Sequence, residues 1–171
     1  YRTVLNILLK YNPKYIFHTA AVPLAKIDNL NAKETKEGSI DTTVNIIECV
    51  NEFQKKHKIN LERFVYISSS MVYGDFKKKT ASEDDICEPI ELYGTMKLSG
   101  EIITKGLCKF FKIPYSIIRP SAVYGPTDMN NRVSQIFIEK ALKGKKITIQ
   151  GKKESLDFTY VEDLVNGIIL S

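Results

Sequence analysis

The chain has 171 residues, of which 43% are hydrophobic, and a formal net charge of +5. This is enough for about one globular domain with a buried core, and no apolar run approaches the roughly 20 residues that a membrane span needs. The lysines stand in short separate runs without interleaved aromatic residues, which argues against a nucleic-acid-binding surface. The three cysteines are widely spaced, so we expect no disulfide, no metal site and a cytoplasmic location.

Helical and strand-like segments alternate along the first two thirds of the chain. The spacing of apolar residues predicts helices over residues 2–11, 42–57 and 92–111. Each helix is followed by a short β-rich run, at residues 15–21, 64–69 and 115–120. Continuously apolar strands that alternate with helices predict an α/β fold with a parallel sheet covered on both faces.

The pattern changes after Tyr124, Gly125 and Pro126. A polar loop, a helix over residues 133–143, a short strand at 147–151, the strand-like run DFTYV and a last helix from Glu162 follow. We expect residues 127–171 to form part of a second, smaller region that closes over the edge of the sheet.

Polar residues follow each predicted strand of the first region. The strand ends fall at residues 18–21, 68–70 and 119–121, and they include His18, three consecutive serines and Arg119. Because ligands of such sheets bind beyond the carboxyl ends of the strands, we expect these three ends to meet at one crevice. We interpret His18 as a packed neighbour of that crevice and Glu101 as structural support. Arg119 is as compatible with a contact to phosphate as with a structural role.

Tyr93 and Lys97 lie four residues apart within a predicted helix, so their side chains share one face. A phenol with a pKa near 10 is a poor base at neutral pH, and a nearby ammonium group favours its ionised form. About one such spacing is expected by chance, and the chain contains two, the other being Tyr73 with Lys77 in a predicted loop. The pair by itself therefore favours a solvated helix face over catalysis.

Several blocks of sequence occur in a characteristic order along nearly the whole chain. They are HTAA, TTVNIIECV, RFVYISSSMVYGD, EPIELYGTMKLSGE, IIRPSAVYGP, FIEKALKGKKITIQG and LDFTYVEDL. Together they resemble the extended short-chain dehydrogenase/reductases, or NAD-dependent epimerase/dehydratases, which act mostly on nucleotide sugars. The resemblance implies a doubly wound Rossmann-like parallel sheet, with residues 1–126 as the C-terminal part of the NAD(P)-binding domain. It also implies that residues 127–171 belong to the substrate-binding region, with a helix returning to the main domain, and that the protein is a homodimer.

The resemblance also implies roles for individual residues. Tyr93 would remove the proton from a sugar hydroxyl while hydride passes to nicotinamide, Ser69 would hold the same oxygen, and Lys97 would lower the pKa of Tyr93 and bind the nicotinamide ribose. Contacts to the cofactor are further implied for Ala20, Ala21, Ser68, Pro120 and Ala122, and contacts to the substrate for Ser70, Met71 and Ser121.

Departures from the family pattern narrow the reaction. Met71 stands where dehydratases place an acid, and because a thioether cannot transfer a proton, we predict a 4-epimerase or a simple oxidoreductase. Ala122 and Leu156 stand where many family members have an asparagine and an arginine that contact the nucleotide of the substrate. The resemblance therefore supports the redox chemistry more strongly than it supports a nucleotide-linked sugar. A dinucleotide-binding sensor or scaffold of the same fold is the alternative, although such a protein has no need of Ser69, Tyr93 and Lys97 together.

The sequence contains no Gly-rich turn of the kind that holds a dinucleotide pyrophosphate. That turn, and the residue that distinguishes NAD from NADP, belong to the first βαβ unit of the fold. We therefore expect that this unit is missing and that the 171 residues alone bind the cofactor poorly and are inactive. From the resemblance to the NAD-dependent family, we expect that cofactor to be NAD in preference to NADP.

Overall fold

The computed structural model describes residues 1–23, 31–58, 60–76, 78–128, 132–149 and 155–171. These residues form two compact units, Tyr1–Arg119 and Pro120–Ser171. The predicted boundary after residue 126 stays a prediction, and each unit is described by itself.

Three parallel strands form the sheet of the first unit, in the order β1 (Tyr15–His18), β2 (Arg63–Ile67) and β3 (Tyr115–Ile118). The parallel arrangement confirms the prediction from alternating helices and strands. Each strand ends two or three residues earlier than predicted.

The long helices of the first unit begin and end where the apolar spacing predicts. They are α1 (Arg2–Tyr11), α3 (Thr42–His57) and α4 (Leu92–Phe111). Ahead of α3 lies a short helix that the sequence pattern did not indicate, α2 (Ala32–Lys36), whose Asn31 cap accepts a hydrogen bond from the backbone of Glu34. A π-helical turn, Glu37–Asp41, joins α2 to α3.

The core of the first unit lies between the helices and one face of the sheet. Ile47, Val50 and Phe53 recur on one side of α3 and are fully buried against Phe64 and Tyr66 of β2. On β1, Tyr15 and Phe17 alternate with the residues of this face and remain about half exposed. On β2, by contrast, the successive residues Phe64, Val65 and Tyr66 are all buried, so both faces of that strand are covered.

The second unit contains two short parallel strands, β4 (Val123–Tyr124) and β5 (Thr159–Tyr160), and two helices, α5 (Val133–Leu142) and α6 (Val161–Leu170). The strand predicted at 147–151 is absent over residues 147–149, where Ile147 and Ile149 are exposed and have no described strand beside them. Residues 150 and 151 lie outside the described residues.

Candidate functional site

A tight turn follows β2 and carries the serine that the sequence singles out. We call residues 69–74 the Ser69 turn: a 3₁₀ helix, Ser70–Tyr73, preceded by Ser69 as its cap and ended by Gly74 at φ 67°. The Ser69 Oγ accepts a hydrogen bond of 3.2 Å from the backbone N–H of Met71, and Ser69 is 9% exposed. The hydroxyl is thereby held at the carboxyl edge of the sheet.

The start of α4 packs directly against the Ser69 turn. A Cβ atom on Gly94 would come within 2.5 Å of the carbonyl oxygen of Met71, so only glycine allows this approach. One residue before Gly94 stands Tyr93, which is partly exposed. The close contact therefore brings the helix turn that carries Tyr93 next to the turn that carries Ser69.

Lys97 is buried beneath this edge of the sheet and is only 5% exposed. Its Nζ donates a hydrogen bond of 2.8 Å to the carbonyl oxygen of Ile67 and lies 5.7 Å from the centre of the Tyr93 ring. Because burial disfavours the charged form, the pKa of Lys97 is lowered to about 8. The ammonium group is thus a poorly hydrated positive charge beside a phenol and the carboxyl end of β2.

His18, at the end of β1, takes part in a buried hydrogen-bonded chain. Its Nε2 lies 3.0 Å from the hydroxyl of Thr43, and that hydroxyl donates to the carbonyl oxygen of Ser39. A hydroxyl has one proton to donate, so Nε2 is the donor to Thr43. Burial, assisted by the charge of Lys97, lowers the pKa of His18 to about 4, so the ring is neutral at pH 7.

Ser39 lies in the π-helical turn and fixes the chain that follows β1. Its Oγ accepts a hydrogen bond of 3.2 Å from the backbone N–H of Val22. Ala20 and Ala21 precede Val22, the first exposed and the second half-buried. Ser39 thus holds the segment in which cofactor contacts are predicted.

A buried ion pair joins α4 to the end of β3. The Arg119 Nε and Nη2 each donate a hydrogen bond of 2.8 Å to Glu101, which is 0% exposed. Burial opposes the ionisation of Glu101, but the bonds from Arg119 and Ser68 outweigh it and hold the pKa of Glu101 below its usual value. The Oγ of Ser68 donates to Glu101 at 2.6 Å.

The sequence did not indicate this network, although Glu101 was interpreted as structural support and a structural role was one of the two left open for Arg119. The available signal was weak: Glu101 follows Lys97 by one helical turn, and Arg119 closes a strand. Nothing in that spacing shows that the carboxylate turns away from Lys97 towards Arg119.

The first unit therefore brings together all three predicted catalytic residues and several of the residues predicted to contact cofactor or substrate. Ser69, Tyr93 and Lys97 lie around the carboxyl end of β2, with Ser68, Ser70 and Met71 in the same turn region and Ala20 and Ala21 beyond β1. Pro120, Ser121 and Ala122 belong to the second unit, in which Ala122 has φ 36°. The assignment of catalytic, cofactor and substrate roles to all these residues stays a prediction.

Comparison with known proteins relates this arrangement to a family. The profile of the NAD dependent epimerase/dehydratase family matches residues 2–171. The uncharacterized UDP-glucose epimerase YtcB of Bacillus subtilis is 33% identical over 154 residues, which are 90% of this chain and 47% of that protein. The dTDP-D-glucose 4,6-dehydratase of Dictyostelium discoideum is 27% identical over 95% of this chain and 39% of that protein.

A solved structure shows the same fold. The UDP-glucuronic acid 4-epimerase from Bacillus cereus, in complex with UDP-glucuronic acid and NAD, matches with a TM-score of 0.81 at 30% identity. The match covers 97% of this chain and 51% of that one, so the chain spans about half the length of the relatives it matches. The α/β architecture with parallel strands is accordingly that of the Rossmann-like epimerases and dehydratases. On these grounds the chain belongs to the NAD dependent epimerase/dehydratase family.

Proposed function

We propose that this chain carries the catalytic residues of an NAD-dependent enzyme that oxidises a hydroxyl of a nucleotide sugar, as a 4-epimerase or a reductase. The observation that carries the proposal is the buried Lys97 ammonium, 5.7 Å from the Tyr93 ring and hydrogen-bonded at the end of β2. Burial of an ammonium group costs free energy, and a functional requirement for its charge beside Tyr93 explains why the fold retains it.

The residues of this site have distinct tasks in the proposed reaction. The Tyr93 Oη accepts the proton of the sugar hydroxyl, and the positive charge of Lys97 favours the phenolate form that does so. The Ser69 hydroxyl donates a hydrogen bond to the same sugar oxygen and holds it near Tyr93. The nicotinamide, when bound, supplies the acceptor for the hydride from the sugar carbon.

The residues beside Lys97 suit the nicotinamide end of a dinucleotide. Lys97 has three N–H donors, of which one goes to the carbonyl oxygen of Ile67, so it can also serve ribose hydroxyls. Ala20 and Ala21 have small side chains at the end of β1, which permits the close approach of a ring. We accordingly propose NAD as the cofactor, which is also the dinucleotide in the Bacillus cereus 4-epimerase structure.

Met71 supports epimerisation or simple reduction over dehydration. Elimination of water needs an acid beside the reacting carbons, and the thioether of Met71 can neither give nor take a proton. Because a dehydratase is among the relatives, membership of the family does not distinguish epimerisation from dehydration. The reaction product does. A retained hydroxyl with inverted configuration identifies an epimerase, whereas loss of water from the sugar contradicts this proposal.

Tyr93→Phe tests the proposed base in the full-length protein. We expect kcat for a UDP-sugar to fall by about 10²–10⁴-fold, because the variant keeps the ring and removes the proton acceptor. Conversion is measured by NMR of the sugar, and Tyr11→Phe, an exposed tyrosine at the end of α1, is the matched control. Unchanged turnover of Tyr93→Phe would overturn the proposal.

The alternative function has its own outcome in the same experiment. If the unmutated full-length protein binds NAD but converts no nucleotide sugar, the protein is a dinucleotide-binding sensor or scaffold, and the enzymatic proposal fails.

Two further proposals concern the protein as a whole. We propose a homodimer formed through α4, on which Ile102 and Phe110 are 64% and 78% exposed. We propose that residues 1–171 alone bind NAD weakly and are inactive. In the described residues no helix is both long and apolar enough to cross a membrane, and a cytoplasmic location stays a prediction.

A further inference from the structure

Both ends of the Ser69 turn are tied to the same buried ion pair. Ser68, the residue before the turn, donates its hydroxyl proton to Glu101 at 2.6 Å. Tyr73, the last residue of the 3₁₀ helix, accepts a hydrogen bond of 2.8 Å from Arg119, whose guanidinium carbon also lies 4.9 Å from the centre of the Tyr73 ring. Glu101 and Arg119 therefore hold the turn from its two sides.

The geometry of the ion pair makes it a rigid reference point. Arg119 binds Glu101 through two parallel hydrogen bonds of 2.8 Å, the bidentate arrangement that fixes orientation as well as distance. Lys105 reaches the same carboxylate only at 3.8 Å. Because a buried ion pair contributes little net stability compared with apolar packing, its presence is better explained by the geometry it specifies.

Glu101 also shares a helix face with the predicted catalytic residues. Tyr93, Lys97 and Glu101 follow one another at intervals of four residues along α4. The Lys97 ammonium is bonded to the carbonyl of Ile67, while the Glu101 oxygens are bonded to Ser68 and Arg119, so the two charges are not paired with each other. A single helix thus carries both the proposed base and the anchor of the Ser69 turn.

We propose that Ser68, Glu101 and Arg119 are positioning residues that hold the Ser69 hydroxyl in register with Tyr93 and Lys97. The inference rests on the proposed function for its kinetic consequence, but the anchoring itself does not depend on any substrate. Ser68 is the most informative position, since its hydroxyl links the turn to Glu101 without forming the ion pair.

Hydrogen exchange of the turn amides tests the anchoring without substrate or cofactor. The N–H groups of Met71 and Val72 are bonded to Ser69, at 3.2 and 3.3 Å. In the full-length protein, Ser68→Ala should raise the exchange rates of these two amides about tenfold. The rise reflects the local stability that the turn loses when the hydrogen bond from Ser68 to the charged Glu101 is removed. Exchange rates that match the unmutated protein would overturn the inference.

Thr104→Val is the matched control for this experiment. Thr104 lies on α4, is fully buried, and its hydroxyl has no hydrogen-bond partner among the described residues. Its replacement removes a buried hydroxyl from the same helix and breaks no described hydrogen bond to the turn or to the ion pair. We expect unchanged exchange at Met71 and Val72 and unchanged kcat; a rise in exchange equal to that of Ser68→Ala would show a general loosening and would contradict a specific anchor.

A double-mutant cycle separates positioning from a purely structural role. Ser68→Ala should lower kcat about tenfold and change the KM for the sugar less than twofold, since the residues implied to contact the sugar, Ser70, Met71 and Ser121, are unchanged. In a Ser69→Ala background the same change should lower kcat less than twofold, because the hydroxyl being positioned is gone. A full tenfold effect in that background would overturn the inference. Faster exchange in a protein that converts no sugar would instead refute only the proposed function.

Discussion

At the scale of single residues, Lys97 shows how a requirement for charge conflicts with stability. Its side chain is buried among the end of β2 and the rings of Tyr66 and Tyr93, where the ammonium group loses most of its hydration. The lowered pKa of Lys97, about 8 against 10.5, measures that loss. A folded protein that keeps Lys97 charged at pH 7 is therefore destabilised by this residue.

Lys97→Met should separate activity from stability. The variant keeps the length of the side chain and removes the buried charge, so we expect it to be more stable than the unmutated protein at pH 7, by up to about 3 kcal/mol. The proposed reaction should be lost, since the charge beside Tyr93 is gone. Urea unfolding and NMR detection of sugar conversion measure the two effects, and Lys109→Met, an exposed lysine on the same helix, is the control.

The pH dependence of that stability difference has a definite sign. Between pH 8 and pH 10.5 the unfolded chain binds a proton at Lys97 that the folded chain has released, so the stability of the unmutated protein rises with pH relative to the variant. The advantage of Lys97→Met should shrink by about 2 kcal/mol between pH 7 and pH 9.5. A difference that stays constant over this range would show that Lys97 is not strained by burial.

At the scale of elements, the sequence predicts helices better than it predicts what lies between them. The bounds of α1, α3 and α4 follow from local periodicity, which a single stretch of sequence contains in full. That periodicity did not indicate the π-helical turn before α3. It also predicted a strand at 147–149 that is not formed there, because a strand needs a partner strand that the local pattern does not contain.

The candidate site shows the same difference between features that a local pattern predicts and features that depend on distant partners. Tyr93 and Lys97 were identified from a helical spacing and a family resemblance, whereas the role of Glu101 required a partner 18 residues away along the chain. Gly100 illustrates why: a Cβ atom there would collide with the hydroxyl of Tyr66 on β2, so the glycine fixes how closely α4 approaches the sheet. That closeness, which the sequence pattern does not reveal, places the Glu101 carboxylate within reach of Ser68.

The outer face of α4 provides the test of the proposed dimer. Ile102 and Phe110 are eight residues apart, so they lie on roughly the same side of the helix, and both are exposed. Ile102→Glu should place a charge at the centre of the proposed interface and convert a dimer to a monomer in sedimentation velocity. Ile86→Glu, at an isoleucine that is also exposed but lies outside α4, should remain dimeric. A monomeric unmutated protein, or a dimeric Ile102→Glu variant, would contradict the proposal.

At the scale of the whole molecule, the chain contains the proposed catalytic residues without a Gly-rich motif for the pyrophosphate of a dinucleotide. Ser69, Tyr93 and Lys97 face the nicotinamide end in the proposed complex. The pyrophosphate of a dinucleotide is normally bound by backbone N–H groups at a Gly-rich turn, and none of the nine glycines forms a Gly-x-Gly-x-x-Gly motif. The net charge of +5 favours anions in general but does not replace a geometry of this kind.

This absence sets the expected affinity of residues 1–171 for NAD. A charge-assisted hydrogen bond contributes about 1.5–3 kcal/mol, so the loss of two such bonds to the pyrophosphate weakens binding by a factor of about 10² or more. Calorimetric titration of the 171-residue chain with NAD should therefore give no saturable binding in the low micromolar range. A circular dichroism spectrum with the helix content of α1, α3 and α4 serves as the control for folding. Low-micromolar binding by the folded chain would show that the strand ends of the first unit suffice to hold the cofactor.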